Sequence, residues 1–382
     1  MRAFTTVYWV VLLSVLNSIG QRGSKVAVSL YALELGASAI AVGVLAALFS
    51  IFPLFLAVHA GRISDRFGVR VPMVAGGLTM AAGLVIPLLF PGSLAWLFVC
   101  PALLGLGHIY FHVSIHNLVG SLGTDVARTK NFSTFALGSS IAAAIGPAAA
   151  GFAIELGGYR SAFALLALVS MLSALYLVFN PRLAPRPGRH EESQPKNAFD
   201  LFAIPALRRT LIMSGVALTG IELFAFYLPI YGRSIGLSPA AIGLILSSYA
   251  VAGFLVRGVM HRLAQRFTEV GVLTASLFLA ALSYFLMPGL DSGALLALAA
   301  FALGLALGSA QPLTIILTYN YAPAGRSGEA LGMRIMANKV TQIAVPLAFG
   351  GFGAAMGAAP VFLATGAFLL VAGVISWKGE SG

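Results

Sequence analysis

Gly61-Arg62-Ile63-Ser64-Asp65-Arg66-Phe67-Gly68-Val69-Arg70 lies between two long apolar runs, Ala39 to Ala60 and Val71 to Phe90. Runs of about 20 apolar residues match the thickness of a bilayer core, so the stretch reads as a charged loop between two membrane spans. Gly61 and Gly68 allow a tight turn and close helix approach, while Arg66 and Arg70 are expected to stay in water beside anionic lipid head groups. Asp65 is the one acid among them.

Composition extends that reading to the whole chain. Its 382 residues are 59% hydrophobic and only 9% charged, with a mean hydropathy of +0.94. A soluble domain carries roughly a quarter charged residues, so an all-α integral membrane protein is expected. The formal net charge of +11 would suggest nucleic acid in a soluble protein, but its distribution points elsewhere. The single cysteine, Cys100, sits in an apolar run and offers neither a disulfide nor a cysteine metal site. Arg2 followed by Val7 to Leu16 imitates a signal peptide without a small-residue cleavage site behind it, so the first span is expected to be retained.

The hydropathy pattern predicts twelve transmembrane helices, at 7–33, 39–60, 71–90, 94–120, 131–154, 160–179, 208–231, 240–261, 269–288, 293–321, 328–352 and 358–377. Residues 181–207, rich in Pro, Arg and acids, read as a linker between a six-helix bundle at 1–180 and a second at 208–382. With the N-terminus inside, the cytoplasmic side receives most of the Lys and Arg residues, including Arg62, Arg66, Arg70, Arg128, Lys130, Arg208, Arg209, Arg262 and Arg266. The outer side receives Arg160 and Arg233. That asymmetry predicts both termini in the cytoplasm and accounts for most of the positive charge without nucleic acid. The halves also repeat. At an offset of 200, Gly36 aligns with Gly236, Gly43 with Gly243, Arg62 with Arg262, Arg66 with Arg266 and Phe67 with Phe267; Asp65 becomes Gln265 and Gly68 becomes Thr268.

Gly61, Asp65, Arg66, Gly68 and Arg70 resemble the signature loop of the major facilitator superfamily, with Val69 where that family often has a further basic residue. The resemblance covers nearly the whole chain and implies a two-repeat transporter working by alternating access, its solute site between the repeats near the bilayer midplane. It also implies that the loop helps latch the halves on the cytoplasmic side. Gly146, Pro147 and Gly151 resemble the family's fifth-helix antiporter motif in part, which favours export by exchange; ordinary small-residue packing is the other reading. The arginine that many drug antiporters carry early in the fourth span is missing, and Pro101 lies near that position. No motif narrows the subfamily.

Ionisable side chains at membrane depth cost at least about 2.5–3.5 kcal/mol at a helix centre, so they mark function or are paired. Ser14, Ser18, Arg22, Lys25 and Ser29 form one face of the first span. Glu222 occupies the place of Arg22 under the repeat, and the two are expected to face one another, either as a permanent pair or as one broken by solute or proton. His108, His112 and His116 share a face of the fourth span. They read as a solute or proton site, as structural hydrogen bonding, or as a metal site, although the outer two are about 12 Å apart along a helix. Gln311 and Asn320 in the tenth span, Arg334, Asn338 and Lys339 in the eleventh, and Tyr227 in the seventh complete the candidate site. Arg334 lies near enough to the helix end to reach water by extending, and Arg257 reads as a snorkelling residue. Tyr231 reads as an interfacial anchor.

The cations Arg22, Lys25, Arg257, Arg334 and Lys339 stand against Glu222 alone, which favours an anionic solute. The expected protein is a proton-coupled secondary transporter of a small organic anion in a bacterial inner membrane, export by antiport favoured. Alternatives are an uptake symporter or uniporter for an organic acid or metal chelate, a multidrug efflux pump, and a transport-incompetent sensor. Its expected partners are the solute, protons and the bilayer, and it is expected to act as a monomer. No nucleophile and base arrangement, nucleotide loop or metal-ligand set is readable, so no enzyme, cofactor or resident metal is expected.

Overall fold

A computed structural model describes residues 2–122, 125–180, 198–323 and 327–378. Among these residues no strand occurs. The helices are α1 (Arg2–Glu34), α2 (Ala39–Phe67), α3 (Arg70–Leu89), the single turn α4 (Leu94–Leu97), α5 (Val99–Ser121), α6 (Asp125–Phe179), α7 (Pro205–Ser234), α8 (Pro239–Phe267), α9 (Glu269–Leu286), α10 (Gly293–Tyr321), α11 (Ser327–Met356) and α12 (Ala358–Lys378). In hydrocarbon only a helix or a closed barrel satisfies every backbone polar group, which is why apolar runs of this length fold this way. Nine described stretches are long and apolar enough to cross a membrane; the longest, Thr134–Phe179, is broken by the left-handed Gly158, φ 74°. That break falls between the predicted fifth and sixth spans, 131–154 and 160–179. α1 and α11 have similar lengths and carry basic side chains.

The opening stretch is less of a loop than its charges suggest. α2 runs on to Phe67, leaving Gly68 and Val69 as the turn, and Gly61 sits inside the helix with nothing closer than Val113 at 4.0 Å from its added Cβ. At 29 residues, α2 is about 43 Å long against a hydrocarbon core of about 30 Å, so its charged last turns continue as helix beyond the apolar layer. α8 repeats this, ending at Phe267, and in both helices an arginine lies 5.3 Å from the centroid of the following Phe ring.

The chain divides into two compact units, Met1–Glu191 with Ser238–Ser247, and Glu192–Leu237 with Ser248–Gly382. In the first, α1 packs on α6, α3 on α5 and α6, and α2 on α5. Val10, Leu13, Met73, Phe111, Ile115, Leu118 and Leu177 share a core with Val69, which is 0% exposed. That burial explains the departure of Val69 from a basic residue: a cation there would enter the core. Gly76 and Gly107 let α3 and α5 touch backbone to backbone, since a Cβ on either would collide with the carbonyl oxygen of the other.

In the second unit, α9 packs on α10 and α12, and α7 on α10, α11 and α12. Serine and threonine hydroxyls tie these helices, Ser276 to Ser309 at 2.8 Å and Thr274 to Ser376 at 2.7 Å. Most of the predicted linker, residues 181–197, lies outside the described residues; its end folds as a 3-10 helix, Ala198–Ala203, and α7 begins at Pro205, ahead of the predicted 208.

Candidate functional site

In the first unit α1 carries the predicted polar face as one continuous helix. Arg22 donates to Ser139 Oγ at 3.4 Å, and Lys25 Nζ stands 5.9 Å from the centroid of the Phe49 ring. Ser14 and Ser29 are buried. α5 places His108, His112 and His116 in a column, with ring centroids 5.0 and 4.2 Å apart, the first pair tilted and the second edge-on, and the last ring meets Phe135 edge-on at 4.8 Å. The i, i+4 spacing sets these rings one above another. Among the described residues no group of three His, Cys, Asp or Glu side chains is placed to hold a metal ion.

The signature stretch is anchored within the same unit. Ser64 accepts from Asn117 Nδ2 at 3.2 Å. Arg70 donates through Nε to Leu177 O at 2.9 Å and through Nη2 to Val178 O at 2.6 Å. The last carbonyls of a helix have no intrahelical partner, so a guanidinium at the end of α6 is held there by two charge-assisted bonds. Arg70 therefore caps the end of α6 while half-buried, whereas Arg66 is exposed. The side chain of Asp65 lies outside the described residues.

Gly146, Pro147 and Gly151 serve as contact points. Gly146 faces Arg22 Cβ and the Gly23 and Ile19 backbone, at 3.0 to 3.2 Å from its added Cβ. The carbonyl of Pro147 lies 2.5 Å from a Cβ built on Gly243, and that of Pro239 would collide with one built on Gly151. Ser247 Oγ donates to Ala144 O at 2.6 Å along the same seam.

In the second unit Ser214 Oγ donates to Asn338 Oδ1 at 3.1 Å and Lys339 Nζ to Gln342 Oε1 at 2.8 Å. Arg334 does not extend to water: it is 5% exposed and lies against α10, where Nη2 donates to Gln311 Oε1 at 2.6 Å, Thr314 Oγ1 at 3.0 Å and Gln311 O at 3.2 Å. Arg257 Nε donates to Gly308 O at 3.2 Å. Tyr227 is buried, its hydroxyl donating to Phe349 O, and Glu222 is half-buried on α7. Asn320 is exposed near the end of α10, away from the buried cluster around Arg334. Tyr231, expected as an interfacial anchor, is buried and donates to Pro288 O at 3.2 Å.

Three features escaped the sequence reading. His59 Nδ1 hydrogen-bonds the Tyr110 hydroxyl at 2.8 Å. Asn17 and Gln21, buried one turn apart on α1, have side-chain oxygens that accept no hydrogen bond among the described residues. Glu155 accepts from the backbone N–H of Ala240 at 3.0 Å. His59 and Glu155 stand in the sequence as lone polar residues beside apolar runs, whereas Asn17 and Gln21 adjoin Ser18 and Arg22.

The Major Facilitator Superfamily model matches residues 10–234 and 210–380. Among curated proteins the chain is 25% identical over 260 residues to the multi-drug resistance efflux pump PmrA of Streptococcus pneumoniae, covering 66% of this chain and 64% of that relative. It is 25% identical over 326 residues to multidrug resistance protein 1 of Bacillus subtilis, covering 83% and 82%. Among solved structures, a mutant of the nucleoside transporter NupG superposes with a TM-score of 0.82 at 15% identity, covering 98% of this chain and 99% of that one.

Proposed function

The chain belongs to the major facilitator superfamily, and from that premise we propose that it is a proton-coupled secondary active transporter of a small anionic organic solute. In this reading it has twelve spans in two six-helix halves, 1–180 and 208–382, with both termini in the cytoplasm of a bacterial cell, and it works by alternating access with export by exchange. The observation that carries the proton coupling is the column of His108, His112 and His116 along one face of α5. Imidazole is the side chain whose charge changes near neutral pH, and rings one helical turn apart can hand a proton along the helix. Glu222, the one acid read from the sequence at membrane depth against five basic residues, is the proton acceptor. The excess of cations supports an anionic solute.

A second reading, multidrug efflux, is supported by the names of the curated relatives. The two readings differ in the charge of what moves. Reconstituted into proteoliposomes with an imposed pH gradient, the wild type is expected to drive an organic anion uphill. Glu222→Gln is expected to abolish that gradient-driven movement while leaving solute counterflow intact. Uphill transport unchanged in Glu222→Gln would remove Glu222 from the mechanism, and gradient-driven movement of lipophilic cations alone would establish the second reading.

A further inference from the structure

The transport reading above is narrowed by a cluster between α10 and α11. Among the described residues, the hydrogen bonds of the Arg334 guanidinium go to neutral oxygens, Gln311 Oε1, Gln311 O and Thr314 Oγ1. Two further N–H groups of the same cluster, Arg334 Nε and Gln311 Nε2, are buried and donate to nothing among the described residues. The opposite orientation of the Gln311 amide would set its NH2 group against the guanidinium, donor to donor, so the orphaned amide nitrogen follows from the bond that holds its oxygen. An unsatisfied buried donor is destabilising, and more so when it is charged. A cation that served only to staple two helices would end on a carboxylate or exhaust its donors. This one is fixed along one edge and left with N–H groups to give.

We propose that Arg334 and Gln311 form the anion subsite of the transporter, receiving one carboxylate, phosphonate or phosphate group of the transported solute on Arg334 Nε and Gln311 Nε2. Arg334 Nε gives one donor and Gln311 Nε2 the other to a group with two oxygens, and Thr314 with the Gln311 carbonyl holds the guanidinium through Nη2 before the ligand arrives. The pairing neutralises the buried charge and satisfies both orphaned donors in one step. The class of solute that fits is a small, water-soluble organic anion, and a lipophilic cation is repelled.

The test is thermal unfolding of the full-length protein in neutral detergent at constant ionic strength, without a pH gradient. The probes are succinate, methylphosphonate, inorganic phosphate, tetraphenylphosphonium and phosphatidylglycerol. A saturable rise in Tm with at least one soluble anion is expected. Arg334→Lys should raise its midpoint concentration by about tenfold or more, because a lysine has no N–H at the Nε position while its ammonium takes the place of Nη2. Gln311→Glu places a carboxylate on the guanidinium, and should unfold at a higher temperature without ligand and lose the response to the anion. That variant keeps the test decisive if Arg334→Lys does not fold. A wild type that responds to no soluble anion, or only to tetraphenylphosphonium or phosphatidylglycerol, overturns the subsite, as does Gln311→Glu with an undiminished response. Since binding is read without a gradient, failure of proton coupling leaves the result standing, while proton-driven transport without anion binding removes the subsite alone.

Discussion

Thr268 holds nearly the same backbone conformation as Gly68, 200 positions earlier: φ 64° and ψ 158° against φ 80° and ψ 159°. Among the described residues Thr268 is the one non-glycine residue with positive φ. The second half of the chain thus makes the turn of the first with a threonine in place of the glycine that makes it easy. This region is essentially reserved for glycine, at a cost of about 1–3 kcal/mol for other residues. Thr268 offsets part of that cost by accepting from Gly271 N at 3.0 Å as an N-cap. Glycine is only a few tenths of a kcal/mol worse as a cap. Thr268→Gly should therefore stabilise the protein by about 1 kcal/mol, read as a raised Tm in detergent. A lowered Tm would show that the cap, and not the strained backbone, dominates.

Arg70 spans from the start of α3 to the end of α6, and its two carbonyl acceptors are bonds that a shorter side chain cannot make. Arg70→Ala should cost about 2 kcal/mol, the usual scale for hydrogen bonds to a charged group. Arg70→Lys keeps the charge but replaces two directed N–H groups with one ammonium, and should recover less than half of the loss. If both variants melt like the wild type, the resemblance-based latch role for this position gains over the cap.

The legible and illegible parts of this protein divide by the range of the interaction. Gly68, Phe67 and Arg66 show in the sequence because a repeat at fixed offset writes local structure twice, and Gly158 shows because a break between apolar runs needs a turn. Helix ends are misread at Arg62 and Arg66 because an apolar run measures the bilayer, and a helix with charged turns continues past it. His59 with Tyr110, Glu155 with Ala240 and Arg334 with Gln311 join residues 51, 85 and 23 positions apart. Such pairings depend on how helices rotate about their axes, which small residues such as Gly76 and Gly107 decide by letting backbones touch. The buried donors on Arg334 and Gln311 become visible only when partners can be counted.

Within the first unit, the Glu155 carboxylate at the bend of α6 caps the start of α8, and Gly151 leaves room for the carbonyl of Pro239. A Cβ on Gly151 collides with that backbone oxygen, so Gly151→Val must part the two helices. Glu155→Gln keeps the shape but removes the charge that favours a helix N-terminus, worth about 0.3–1 kcal/mol. A cysteine placed at Ser247, which is buried against Ala144 O, should react slowly with a maleimide in the wild type, slightly faster in Glu155→Gln and much faster in Gly151→Val. Equal labelling in all three would mean that the seam does not depend on these contacts.

The histidine column makes the sharpest demand on pH. If His112, the middle ring, relays protons between His108 and His116, Asn or Gln at this position keeps a polar side chain but ends the relay, because an amide does not titrate. Gradient-driven transport by His112→Gln should fall at least about tenfold and lose its dependence between about pH 5 and 8, while counterflow, which needs no net proton movement, persists. His116→Gln and His108→Gln should show the same separation of the two assays. Hydrogen bonding alone predicts a different pattern: the glutamine variants would lower Tm and scale both assays down together, with the pH profile unmoved. Measuring gradient-driven transport and counterflow across that pH range therefore separates a proton path from a packing role at each ring.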